Sequence, residues 1–164
     1  MSKILSLGTK APSFNLKATP DQSISLDEYL GSHLIILFYP ADWSPVCTDE
    51  ILIFNELTPE FRKHQTEIIG ISVDSYWCHN AFAEHRHIHF PLLSDFEPKG
   101  EVAKKYGVYR DKEGVCERAI YLVDKTGMIA YSFLSPVGRN LGAEGILEAL
   151  EKLTLQDSSP SKRS

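Results

Sequence analysis

Several features that mark whole classes of protein are missing from this chain of 164 residues. Its longest apolar run, Leu34 to Tyr39, is far shorter than the roughly 20 residues of a membrane-spanning helix. It has no excess of basic residues, since 17 Lys and Arg stand against 22 Asp and Glu, a formal net charge of −5. Nucleic acids and anionic membranes attract basic surfaces, so we expect neither as a partner. The N-terminus lacks the apolar stretch of a secretory signal, which predicts a cytoplasmic protein.

Cysteine is scarce, and its spacing excludes two further classes. The chain has three cysteines, Cys47, Cys78 and Cys116, and no C-x-x-C pair. An odd number at wide spacing is typical neither of a disulfide scaffold nor of a zinc site. The alternating histidines in the segment His85 to His89 suggest a metal site, but we interpret them as a polar connection. With no phosphate-binding glycine loop, no Ser-His-Asp pattern and no haem motif, we expect neither metal nor cofactor.

The hydrophobic pattern predicts one α/β domain over residues 1–155, followed by a polar, disordered tail at 156–164. Continuous apolar runs are typical of strands buried on both faces of a sheet, and a helix between two such strands makes them parallel. The expected order is a hairpin, two strands each followed by a helix, a second hairpin and a last helix. The corresponding segments are 13–26, 34–39, 49–62, 68–73, 76–85, 119–133 and 143–153. This order predicts a mixed central sheet with helices on both faces and an N-terminal β-hairpin.

The segment after the first buried strand contains the most reactive residue types. Pro40 ends the strand, a short loop follows, and Cys47 enters the first turn of a helix. Ligands bind at the carboxyl ends of strands in open α/β sheets. The unpaired N–H groups of a helix N-terminus also favour a thiolate over a thiol. Ser44, three residues earlier, has a hydroxyl that can contact both the sulfur and a polar substrate.

The pattern Pro40-x-x-x-Ser44-x-x-Cys47 resembles the P-x-x-x-T/S-x-x-C motif of the peroxiredoxins, the alkyl hydroperoxide reductase and thiol-specific antioxidant family. The resemblance runs from about Leu7 to Leu153. It differs from the usual pattern at Ser44, where the family often has Thr, and at Trp43, where it often has Phe. The further stretches that resemble the family are 8–14, 70–75, 90–95, 103–108 and 118–124.

This resemblance implies a thioredoxin-like fold and a peroxidase for hydrogen peroxide and organic hydroperoxides. The Cys47 thiolate would attack a peroxide oxygen and become sulfenic acid. The Ser44 hydroxyl, the Cys47 N–H and the Arg118 guanidinium would meet the negative charge that develops on the leaving oxygen. Pro40 belongs to the same catalytic motif. Glu50, on the same helix face as Cys47, can orient Arg118, and Trp43 is a second supporting residue.

The reductive half-reaction stays open at this point. The resemblance allows Cys78 as a resolving cysteine, and Cys116 is expected to be structural. Otherwise an external thiol reduces the sulfenic acid directly: a thioredoxin- or glutaredoxin-like protein or a small thiol. The family commonly forms homodimers or higher homo-oligomers, which we also expect here, with Trp43, Tyr76 or Trp77 at the interface.

Two other functions fit the same residues. One is a thioredoxin-fold thiol-disulfide oxidoreductase, which the missing C-x-x-C disfavours because Ser44 stands where the first cysteine would be. The other is a redox sensor in which Cys47 oxidation is the signal and turnover is slow. Peroxide consumption in excess thiol distinguishes these functions from a peroxidase.

Overall fold

The computed structural model describes residues 4–135 and 143–158. The strands are β1 (Asn15–Thr19), β2 (Gln22–Ser25), β3 (His33–Phe38), β4 (Thr66–Ser72), β5 (Leu92–Ser94), β6 (Tyr109–Arg110), β7 (Val115–Cys116), β8 (Ala119–Val123) and β9 (Ile129–Leu134). The helices are α1 (Pro45–Glu56), α2 (Thr58–Lys63), α3 (Tyr76–Arg86), α4 (Glu101–Lys105) and α5 (Ala143–Ser158), with a 3-10 turn at Leu26–Tyr29.

A seven-stranded mixed sheet organises the fold, in the order β2-β1-β5-β4-β3-β8-β9. β3 pairs in parallel with β4 and antiparallel with β8, and β4 pairs in parallel with β5. β1 and β2 form the predicted N-terminal hairpin, and β8 and β9 form the second one. The predicted mixed α/β architecture is confirmed.

Both faces of the central strand β3 are covered, as its unbroken apolar run predicts. All six of its residues are buried. Alternate side chains point to opposite faces of a strand, and they enter two separate clusters. Leu34, Ile36 and Phe38 pack with residues of α4. Ile35 and Leu37 pack on the other face with residues of α1, α2, α3 and α5.

The structure differs from the predicted helix over 49–62 in two respects. The helical segment begins earlier, at Pro45, and it divides at Leu57 into α1 and α2. Pro59 explains the division, because proline has no N–H and its ring clashes with the carbonyl four residues earlier. Proline is tolerated in the first turn of a helix, where it stands in α2.

Two other differences are smaller. The two-residue strands β6 and β7 pair with each other in a separate ribbon that the sequence pattern did not predict. α5 continues to Ser158, beyond the predicted end at Leu153. The rest of the predicted disordered tail, 159–164, lies outside the described residues.

The register of β3 with β8 fixes where chemistry can occur. Phe38, the last residue of β3, lies opposite Ala119, the first residue of β8. Because the two strands are antiparallel, the loop that leaves β3 and the residue that precedes β8 meet at one edge of the sheet.

No helix among the described residues is long and apolar enough to cross a membrane.

Candidate active site

Cys47 lies in the first turn of α1, immediately after the loop that follows β3. Ser44 is the N-cap residue, and its side-chain oxygen accepts a hydrogen bond from the Cys47 N–H at 3.4 Å. Pro45 follows at the first helical position, where a missing N–H costs nothing. Ser44 therefore acts as a helix cap as well as a hydroxyl beside the cysteine. Cys47 is 0% exposed in this state.

Arg118 supplies the cation beside the sulfur. It immediately precedes β8, and its Nη2 donates a hydrogen bond to Cys47 Sγ at 3.1 Å. The side chain is buried, at 8% exposure. A guanidinium stays protonated at any physiological pH, and hydrogen bonds that involve an ionised group are the stronger ones. The contact therefore places a permanent positive charge directly against the Cys47 sulfur.

Glu50 is a buried carboxyl group that forms an ion pair with Arg118, the residue that contacts the Cys47 sulfur. Its Oε1 lies 3.9 Å from Arg118 Nε, and its side chain is 2% exposed. Burial raises the pKa of Glu50 to about 7, although the Arg118 charge opposes that rise. Glu50 thus changes charge near neutral pH while it lies next to the guanidinium that contacts Cys47.

Residues 40–44, which form most of the loop between β3 and α1, have an unusual backbone at Trp43. Trp43 has φ of 72°, in the left-handed region, which costs a residue other than glycine about 1–2 kcal/mol. Its ring packs against Phe82 at 5.2 Å and His85 at 5.4 Å, both on α3, and yet is 45% exposed. Pro40, partly buried, opens this loop at the end of β3. We call residues 40–44 the active-site loop.

Under the active-site loop lies a buried hydrogen-bond network that the sequence pattern did not reveal. The Tyr39 hydroxyl donates to Asp42 Oδ1 at 2.6 Å, and His79 Nδ1 lies 2.7 Å from Asp42 Oδ2. His79 Nε2 reaches the Leu93 carbonyl of β5 at 3.0 Å. We refer to these three side chains as the Tyr39–Asp42–His79 network. No local sequence pattern marks these residues as partners, because Asp42 and His79 are 37 positions apart in the chain.

Cys78 occupies a position in α3 like that of Cys47 in α1, but among opposite charges. Ser75 caps α3 and accepts from the Cys78 N–H at 3.2 Å, as Ser44 does for Cys47. Potential ligand atoms of Cys78, Asp42 and Asp74 all lie within 4.8 Å of one another. Burial, together with the charges of these two carboxylates, raises the pKa of the Cys78 thiol to about 11.

Cys116 lies on the other side of the sheet from Cys47. It ends β7, is 0% exposed and belongs to the cluster that packs against α4, whereas Cys47 belongs to the opposite cluster. Burial raises the pKa of the Cys116 thiol well above its ordinary value. Cys116 and Arg118 do not share a strand, because Cys116 pairs within the β6–β7 ribbon and Arg118 precedes β8.

The histidines near the end of α3 form no compact ligand set in the described part of the chain. His85 belongs to the last turn of α3, and His87 caps the helix in the left-handed conformation with φ of 56°. The described residues with ligand spacing are instead Asp42, Asp74 and Cys78. Both carboxylate oxygens of Asp42 already have hydrogen-bond partners. The expected absence of a metal stays a prediction.

Comparison with known proteins gives a consistent result. A model of the AhpC/TSA family matches residues 7–132. Peroxiredoxin-1 of Gekko japonicus is 36% identical over 148 residues, which are 82% of this chain and 73% of that protein. The chloroplastic 2-Cys peroxiredoxin BAS1 of Hordeum vulgare is 34% identical over 158 residues, 90% of this chain and 74% of that protein.

The fold has close neighbours among solved structures as well. AhpC of Enterococcus faecalis superimposes with a TM-score of 0.83 at 28% identity, over 93% of this chain and 95% of that one. Peroxidoxin BcpB of Mycobacterium tuberculosis gives a TM-score of 0.81 at 28% identity, over 90% and 97%. These neighbours confirm the thioredoxin-like fold. The chain therefore belongs to the AhpC/TSA family and is a peroxiredoxin, a thiol-dependent peroxidase.

Proposed function

We propose that Cys47 is the peroxidatic cysteine and that its thiolate reduces hydrogen peroxide and organic hydroperoxides. The sulfur attacks one peroxide oxygen, the O–O bond breaks, and the leaving oxygen takes a proton to become water or an alcohol. Cys47 is thereby oxidised by two electrons to sulfenic acid. The observation that supports this role is the 3.1 Å hydrogen bond from Arg118 Nη2 to Cys47 Sγ.

Three groups around the sulfur fit the charge changes of this step. Arg118 favours the attacking thiolate and then stabilises the negative charge that moves to the leaving oxygen. The Ser44 oxygen accepts from the Cys47 N–H, which leaves the hydroxyl proton available to a bound peroxide. Pro40 adds no N–H of its own at the start of the loop, and Trp43 packs the loop onto α3.

Glu50 serves, in this proposal, to orient Arg118 from behind. It contacts the guanidinium at Nε, whereas the sulfur is contacted at Nη2. The two contacts use different nitrogens of one planar group, an ion pair at 3.9 Å and a hydrogen bond at 3.1 Å, and together they favour one direction of that group. Below pH 7, where the carboxyl takes up a proton, the cation is left with less opposing charge.

For the reductive half, we propose that an external thiol, rather than Cys78, attacks the sulfenic acid. The attacking group in such exchanges is a thiolate, and a Cys78 thiol with a pKa of about 11 is almost entirely protonated near pH 7. The external thiol forms a mixed disulfide with Cys47 and releases water. A second thiol then frees Cys47 and leaves as the disulfide. Its source is a thioredoxin- or glutaredoxin-like protein or a small thiol.

We further propose that residues 1–155 form one domain and that the protein works as a homodimer or higher homo-oligomer. The exposed aromatic side chains that motivate this assembly are Trp43, at 45% exposure, and Trp77, at 65%. Tyr76 packs against Trp77 with ring centroids 5.3 Å apart.

Cys47→Ser should abolish peroxide consumption in excess thiol, because serine cannot form a sulfenic acid. Cys116→Ala is the matched control, since its sulfur lies on the opposite face of the sheet, and it should keep the activity of the wild type. Peroxide loss with hydrogen peroxide and dithiothreitol measures both. Full activity in Cys47→Ser would exclude the proposed site, and slow wild-type turnover with efficient oxidation would favour the sensor function.

Arg118→Ala should slow oxidation of Cys47 by about 100-fold or more at neutral pH, the usual effect of losing one donor to developing charge. Arg118→Lys keeps the positive charge but loses the planar fork, so it should recover only part of the rate. Rapid-mixing measurements of thiol loss at several peroxide concentrations give the rate constant. Equal rates in Arg118→Ala and wild type would contradict the role of the guanidinium.

Cys78→Ser should leave steady-state turnover with excess small thiol unchanged within about twofold, a difference of roughly 0.4 kcal/mol in the barrier. Serine keeps a hydroxyl beside the two carboxylates, so the local hydrogen bonds survive. Mass spectrometry of the wild type after one equivalent of peroxide should show sulfenic acid and no Cys47–Cys78 disulfide. Lost turnover together with such a disulfide would make Cys78 the resolving cysteine instead.

Glu50→Gln should change how stability depends on pH. Folding raises the pKa of Glu50 from 4.5 to about 7, so between these values the folded state binds more protons than the unfolded state. The stabilisation is therefore complete below pH 4.5 and is lost as pH rises through 7, a change of about 3 kcal/mol. Urea unfolding across this range should show wild type losing stability relative to Glu50→Gln. A constant difference between the two would contradict the raised pKa.

A further inference from the structure

The chemistry proposed for Cys47 places two opposing demands on the active-site loop. The sulfur is 0% exposed, so a thiol as large as a protein cysteine cannot reach it while the loop and the first turn of α1 stay in place. The peroxide step, in contrast, needs the sulfur and the Arg118 guanidinium held at 3.1 Å. Whatever fixes the loop therefore affects the two half-reactions in opposite directions.

The loop is fixed mainly through Asp42. Its side chain accepts from Tyr39 and faces His79, and its backbone N–H donates to Asp74 Oδ2 at 2.8 Å. Asp74 is itself held by the Ser72 hydroxyl at 2.6 Å, at the end of β4. One residue of the active-site loop is thus attached to the ends of β3 and β4 and to α3.

His79 connects this residue to a further strand. A carbonyl oxygen only accepts hydrogen bonds, so the contact with Leu93 places a proton on His79 Nε2. At 2.7 Å, a proton also lies between His79 Nδ1 and Asp42 Oδ2, whichever of the two groups holds it. The histidine and aspartate side chains are 1% and 0% exposed. Loss of either contact leaves a buried polar group without its partner, which is costly.

We propose that His79 is a positioning residue that holds the active-site loop closed, so that it favours oxidation of Cys47 by peroxide and limits reduction of the sulfenic acid by thiols. This inference rests on the proposed function of Cys47. His79 touches neither sulfur nor substrate and acts through Asp42. Trp43, the next residue, needs such support because its left-handed backbone is unfavourable by itself.

The polar contacts of His79 at its two ring nitrogens can be removed separately. Nδ1 lies 2.7 Å from Asp42 Oδ2 and 3.4 Å from the Tyr39 hydroxyl, whereas Nε2 contacts the Leu93 carbonyl. In His79→Asn the amide occupies the position of Nδ1 and keeps a donor toward Asp42. In His79→Gln the amide occupies the position of Nε2, so it keeps a donor toward Leu93 and loses Asp42. Both variants lack the ring and leave a similar gap, so the difference between them reports the contacts at Nδ1, of which the one with Asp42 is the shorter.

The test follows the two half-reactions separately in single-turnover experiments. Hydrogen peroxide oxidises the reduced enzyme, and dithiothreitol then reduces the freshly formed sulfenic acid. His79→Gln should slow oxidation by about tenfold or more, because the sulfur and guanidinium lose alignment. It should speed reduction about 5- to 10-fold, the shift in a local opening equilibrium expected from one lost hydrogen bond. His79→Asn should restore both rates to within about threefold of wild type.

Two controls exclude a general effect on the fold. His89→Gln changes an exposed histidine beyond the end of α3 and should leave both rates unchanged. Val123→Ala weakens the core on the opposite face of the sheet, at the far end of β8, and lowers stability without moving the two rates apart. Urea unfolding of all variants shows how much stability each has lost.

Opposite changes in the two rates for His79→Gln, with recovery in His79→Asn, would support the inference. Rates that fall together, stay at wild-type values, or change equally in both variants would overturn it. If the wild type itself forms no sulfenic acid at Cys47 with hydrogen peroxide, the proposed function fails, and that outcome is seen before any variant is compared.

Discussion

The contact between Arg118 and Cys47 is the interaction on which the rest of the site depends. It joins two residues 71 positions apart, and the pairing of β3 with β8 brings them together. The loop that carries Cys47 begins where β3 ends, and Arg118 precedes the strand that starts directly opposite. A shift of one residue in that register would turn the β8 side chains to the other face of the sheet. The geometry of the site therefore depends on the register of the sheet as well as on the position of the loop.

The chain contains a natural comparison between two cysteines in the same local setting. Cys47 and Cys78 each occupy the third position of a helix whose N-cap serine accepts from the cysteine N–H. The helix dipole acts on both in the same way. Cys47 faces a guanidinium, whereas Cys78 faces two carboxylates, and the pKa of Cys78 is raised in spite of its helix N-terminus. At Cys78, burial and the two carboxylates therefore outweigh the effect of the helix N-terminus.

Local patterns in the sequence were enough for the main strands and the S-x-x-C segment, because each depends on residues close together in the chain. They did not predict the β6–β7 ribbon, and they placed the start of the helix at residue 49 rather than at Pro45. Arg118 was found through family resemblance, since nothing local marks it among other arginines. Pro59 indicates the division of the predicted helix into α1 and α2. The division was not predicted because the apolar residues on both sides of Pro59 keep helical spacing. The Tyr39–Asp42–His79 network could not be predicted, because it depends on how β5 and α3 lie against the loop. Gly70 of β4 is likewise explained only by the packing of distant residues, because a Cβ there would lie 3.3 Å from the Tyr39 ring.

The three cysteine sulfurs differ in solvent exposure, and this difference affects how the purified protein reacts with thiol reagents. Two sulfurs, those of Cys47 and Cys116, are shielded from solvent, and the accessible one, Cys78, is held in its unreactive protonated form. Bulky maleimides and other alkylating reagents thus meet, in the native protein, mainly a thiol whose raised pKa slows its reaction. Purified material should accordingly resist alkylation and accidental cross-linking between molecules, and it should lose that resistance once the protein unfolds.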